Sequence, residues 1–193
     1  MATPAQNFSF AARGPIQKAA RTANVWGWSY IITIFGAFGA GYVPAGPLRT
    51  LLLNFGILCF IIGVLELVWR HKLLATAEAR WAKVLAWNQV AGTFALMWSL
   101  YLLYQVPDTG LLAYAKKSEM WIQAQPMIRA ANGGVPVTDA YALQAFHITK
   151  VFCIYGVGGV LILSQIWVVW HYWCRAREIA AAPTPGSVPP VLK

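Results

Sequence analysis

LRTLLLNFGILCFIIGVLELVW, Leu48 to Trp69, is followed at once by Arg70-His71-Lys72. Only Arg49 and Glu66 are charged among these 22 residues. As an α-helix the run rises roughly 33 Å at 1.5 Å per residue. That matches a hydrocarbon core of about 30 Å, and the basic cluster behind it suits a membrane boundary.

Three further runs resemble it. One covers Val25 to Val43, one Val84 to Val106, and one about Ile148 to Trp173. Over the whole chain, 59% of the 193 residues are hydrophobic and 11% are charged. An ordinary soluble domain carries roughly 25% charged residues. The reading is an all-α integral membrane protein with four transmembrane helices. A basic N-terminal segment (1–24) precedes the four-helix domain (25–178), and a Pro-rich tail (179–193) follows it. The first run, behind its basic leader, has the look of a signal peptide, but nineteen residues suffice to span a bilayer.

Local signals set the expected boundaries. Gly14-Pro15 reads as the start of the first helix and Thr76 as the N-cap of the third. Pro107-Asp108 ends the third helix, and Thr138-Asp139 caps the fourth well before it enters lipid. Ser118 to Ala131 mixes apolar and charged residues in the manner of an amphipathic helix on a membrane surface, with Pro126 expected to kink or end it.

Lys and Arg decide the orientation. With the N-terminus inside, the inner segments hold Arg13, Lys18, Arg21, Arg70, Lys72, Arg80, Lys83, Arg175, Arg177 and Lys193. The outer segments hold only Arg49, Lys116, Lys117, Arg129 and Lys150. Ten against five predicts both ends in the cytoplasm and one extracytoplasmic loop of about 40 residues, Pro107 to His147, between the third and fourth spans. A net charge of +9 would suggest nucleic acid in a soluble protein. Here the cations sit at the ends of apolar runs, so the partners expected are the lipid bilayer and other membrane subunits, with no nucleic acid. A multi-pass protein of a bacterial inner membrane is the expectation.

Three constellations invite a functional reading. Gly36, Ala37, Ala40 and Gly41 have small-xxx-small spacing, which lets helix backbones approach closely, either within the bundle or against a partner. Glu66 is the one acid within a span. It lies four residues before Arg70, so an ion pair at the interface is one expectation. A polar cluster with Asn88, Gln89 and Gln165 is the other. Asn54, near the outer end of the second span, is expected to bond across helices. His71 and His171 close their spans at the inner face, and His147 opens the fourth at the outer face. Paired His on neighbouring helices can hold haem b, and a lone His can ligate a chlorin, so these three are the candidate cofactor ligands. An interfacial position beside Trp and Tyr is the simpler reading, since His71 and His171 both lie at the boundary and haem-ligating His usually sit deeper. Cys59, Cys153 and Cys174 form no CxxC motif and read as free thiols.

The sequence contains no HExxH, no GxSxG and no phosphate-binding Gly loop. Three classes follow. The first is a non-catalytic structural or accessory subunit of a larger membrane assembly, of a respiratory or photosynthetic kind. The second is a haem- or chlorin-binding electron-transfer or pigment protein. The third is a homo-oligomeric channel or transporter built around Glu66.

Overall fold

The computed structural model describes residues 10–38, 46–117 and 119–182, which are almost wholly helical and contain no strand. The helices are α1 (Phe10–Phe38), α2 (Pro47–Thr76), α3 (Ala79–Gln105), α4 (Asp108–Lys116), α5 (Glu119–Ala131), α6 (Asp139–Val151) and α7 (Gly158–Ala181). A π-helical segment, Phe152–Val157, joins α6 to α7 without a break. The spans Leu48–Thr76 and Asp139–Ala181, of 29 and 43 residues, are long and apolar enough to cross a membrane.

Some boundaries differ from those expected. Helix α1 begins at Phe10, with Pro15 inside it, because the chain already has a packing face there. Thr76 caps nothing: it ends α2, and its hydroxyl donates back to the Lys72 carbonyl. The chain turns at Ala77, in the left-handed region (φ 53°), whose N–H bonds to the Leu73 carbonyl. Only Ala77 and Glu78 separate α2 from α3. Thr138 does cap α6, accepting from the Tyr141 N–H. Pro126 lies inside α5, which continues to Ala131. Gly133 and Gly134 then take positive φ values, as the turn after α5 requires.

The chain forms two compact units. The first takes the N-terminal part of α1, the second half of α2, the first half of α3 and most of α7. Its core is rich in small residues. Ala12, Ile16, Ala19 and Ala23 recur at helical spacing on α1 and pack with Leu73, Ala82, Leu85, Ala86, Val168, Tyr172 and Ala176. The α1–α2 contact is closer still. A Cβ on Gly63 would stand 2.7 Å from the Gly27 carbonyl oxygen, and one on Gly27 would stand 2.8 Å from Leu67 Cδ2. Small residues permit the tight van der Waals packing that holds helices together where lipid offers no hydrophobic contrast.

The second unit contains α4, α5, α6 and the adjoining ends of the long helices. An electrostatic clamp sits at the start of α4. Asp108 Oδ1 meets Lys150 Nζ at 2.5 Å, and Asp108 Oδ2 meets His147 Nδ1 at 2.9 Å. Lys150, 8% exposed, also donates to the Val106 carbonyl at 3.1 Å. The Lys150 ammonium holds the Asp108 carboxyl below the usual carboxylate range, and His147 adds to the effect. Gly158, at the end of the π segment, packs on Leu100, where a Cβ would come within 2.6 Å of Cδ1.

The long helices also present large apolar residues at the surface. Val25, Trp28, Ile32 and Phe35 line one exposed face of α1. Ile57, Ile61, Val64 and Val68 do so on α2, Trp87, Phe94, Trp98 and Tyr101 on α3, and Val160, Leu163, Trp167 and Trp170 on α7. The buried polar residues include Glu66, Asn88, Gln89 and Gln165.

Candidate functional site

The buried polar residues meet inside the first unit. Glu66 is fully buried. The Tyr172 hydroxyl of α7 donates to Glu66 Oε1 at 2.5 Å, and Asn88 Nδ2 of α3 donates to Glu66 Oε2 at 2.6 Å. Asn88 Nδ2 donates in addition to the Ile62 carbonyl at 3.1 Å. One carboxyl group thereby joins α2 to both α3 and α7. A second link runs alongside: the Tyr30 hydroxyl of α1 donates to Gln89 Oε1 at 3.0 Å. Gly92, one turn beyond Gln89, leaves the space that Tyr30 needs, since a Cβ there would stand 2.9 Å from the Tyr30 oxygen. The Gln165 side chain also meets the Tyr30 hydroxyl. Gln89 Nε2 and Gln165 Oε1 make no hydrogen bond to the described residues.

The ion pair expected between Glu66 and Arg70 does not form. Arg70 Nε instead donates to the Ala20 carbonyl of α1 at 3.1 Å, while Glu66 turns inward to neutral donors. Four residues apart, the two side chains are close enough to pair, but each is taken by another helix: Glu66 by the buried donors of α3 and α7, and Arg70 by a carbonyl oxygen of α1. All four residues of the expected cluster are buried here. Reading the sequence alone missed Tyr30 and Tyr172, which supply the hydroxyls. Tyr172 follows Gln165 by seven residues and so shares its face, a relation visible in the sequence. Among eight Tyr and ten Trp, however, both rings read as interfacial aromatics.

The histidines have separate surroundings. His171 Nε2 lies 3.3 Å from Thr22 Oγ1, and its ring stacks on Trp167 with centroids 5.5 Å apart. His71 is exposed beside Val64, Leu67 and Lys72. His147 belongs to the Asp108 clamp. Among the described residues no group of three or more His, Cys, Asp and Glu side chains is placed to hold a metal ion. The three cysteines are free thiols; Cys59 is buried and Cys153 exposed. Asn54 makes no bond across helices among the described residues: it is exposed and lines an apolar cleft. Gly36 and Ala37 lie in the last turns of α1, but their packing, together with Ala40 and Gly41, falls outside the described residues.

Chemically, the Glu66 cluster is closed. Both carboxyl oxygens are engaged by side chains of other helices, and the group has no exposed surface. General acid–base work on a substrate needs an oxygen within reach of the reacting proton. The arrangement serves instead as a polar lock on the relative placement of helices. Comparison with known protein families, curated proteins and solved structures finds no match for the chain.

Proposed function

We propose that the chain is a four-span protein of a cytoplasmic membrane, N-in and C-in, and that it serves as a non-catalytic structural or accessory subunit of a larger membrane assembly. The observation that carries this reading is the exposed apolar stripes of the long helices beside a buried polar cluster. Each presents a stripe of large apolar residues outward, while the fully buried polar groups face one another. Such a distribution suits hydrocarbon solvent and is costly in water. It supports spans on α1 and α3 as well, although α3 carries Asn88, Gln89 and several Trp and Tyr that lower its apparent apolarity. The Tyr and Trp rings are at home at a membrane interface.

The non-catalytic part rests on the sealed carboxyl group. The assembly part rests on the aromatic character of the outward stripes. Trp28, Trp87, Trp98, Trp167 and Trp170 are all exposed, and Trp and Tyr are residues that protein interfaces favour.

Two measurements test the reading. In a cysteine-free background, an impermeant thiol reagent added outside should label a Cys at Gln123 and not one at Ala75; the reverse pattern overturns the topology. Purification in mild detergent should yield stoichiometric companion chains of different sequence. A particle containing only copies of this chain would remove the subunit reading and leave the channel alternative.

A further inference from the structure

The second unit contains an apolar cleft of about 690 Å³ between the start of α2, the end of α3 and the start of α4. That volume lies within the ~300–1,000 Å³ range of small-molecule sites. Its walls are aliphatic: Leu51, Leu102, Val106 and Leu111 are among them. Among the described residues that line it, none is charged and none is aromatic. Two amide side chains, Asn54 and Gln105, also line it, and neither makes a hydrogen bond to the described residues. On the four-span reading, on which this inference rests, the cleft lies at the outer ends of spans two and three. An amide facing hydrocarbon without a partner is costly. A partner is therefore wanted from outside the chain, and it must be an amphiphile with an acceptor close to a saturated tail.

We propose that this cleft is a binding site for one glycerolipid, whose acyl chain lies along the leucine wall and whose ester carbonyls accept from the Asn54 and Gln105 amides. The lining chooses among amphiphiles. An anionic headgroup finds no cation among the described lining residues. A flat quinone ring finds no aromatic partner among them. An ester carbonyl, at the boundary between headgroup and chain, is at the depth where an amide near the end of a span meets it. The headgroup stays in the interfacial water, so the site discriminates by the ester linkage.

The experiment compares two phosphatidylcholines of the same chain length, one with ester linkages and one with ether linkages, which lack the carbonyls. The full-length protein is reconstituted into nanodiscs of each, released, and its retained lipid counted by native mass spectrometry. One retained diester lipid per chain is expected, with retention about tenfold lower for the diether lipid, the worth of one or two hydrogen bonds. Asn54→Leu should remove the preference, and Gln105→Leu, on the other wall, should weaken it independently. A circular dichroism spectrum and melting profile matching the wild type show that either variant is folded. Equal retention of the two lipids, no retained lipid, or a prenylated quinone in its place overturns the proposal. Failure of the thiol-labelling pattern overturns the four-span topology instead, so the two failures are distinguishable.

Discussion

Tyr172→Phe is the sharpest probe of the polar lock. The substitution deletes one oxygen and conserves the ring volume, so it removes the bond to Glu66 Oε1 without opening a cavity. Both residues are fully buried, and the oxygen–oxygen distance of 2.5 Å is in the range of charge-assisted bonds. Removing one partner of a buried bond costs ~1–3 kcal/mol. Hydrogen bonds between membrane helices average only about 0.6 and reach about 1.7 kcal/mol, because other partners exist when the bundle opens. Burial and short distance place this one near the upper end, about 1.5 kcal/mol, or roughly tenfold in the unfolding equilibrium. Glu66→Leu should cost more, since it strands the donors of Tyr172 and Asn88 together. The double variant should recover part of that loss, because replacing both partners by apolar groups is close to neutral. The assay is equilibrium unfolding in mixed micelles, followed by Trp fluorescence. A coupling of about 1–1.7 kcal/mol between the two positions is expected. Coupling below about 0.3 kcal/mol would show that the bond does not hold the helices and would refute the argument.

Gly63→Ala should destabilise by about 1–3 kcal/mol, because its methyl group meets the backbone oxygen of Gly27. Gly14→Ala, within α1 with open space around it, should instead stabilise by up to about 1 kcal/mol; the same unfolding assay separates them. The Asp108 clamp makes the second unit acid-sensitive. Its carboxyl is depressed in the folded state, so its stabilising effect is complete above the ordinary Asp value near 3.9 and is lost as pH falls from there through the depressed folded value. Asp108→Asn should flatten that part of the stability profile measured between about pH 5 and 2. An absorption spectrum of the natively purified protein should show no Soret band; a band lost in both His71→Ala and His171→Ala would establish the haem alternative.

Composition and apolar run length alone determined that the chain is helical and apolar enough for a bilayer. A hydrophobic run of 22 residues between polar ends has few other solutions, since hydrocarbon leaves every backbone N–H and C=O to be satisfied within the helix. The Thr138 cap was legible because its mechanism is local. A polar cluster of Glu66, Asn88, Gln89 and Gln165 was one of two expectations for these residues, beside a Glu66–Arg70 pair at the interface, and all four are buried. Partner choice was not legible. Whether Glu66 meets Arg70, four residues away, or Tyr172, more than a hundred residues away, depends on which helix faces lie together, and that is set by packing between helices. The same holds for Thr76, which has the right residue type for a cap but lies at the end of α2, the turn falling at Ala77 instead. It holds too for the close α1–α2 contact, which uses Gly27 and Gly63. Spacing along one helix identifies a face that can be approached closely. Only the tertiary structure decides which face is, because close contact is a property of two helices and their crossing, and a single run of sequence carries no record of its neighbour.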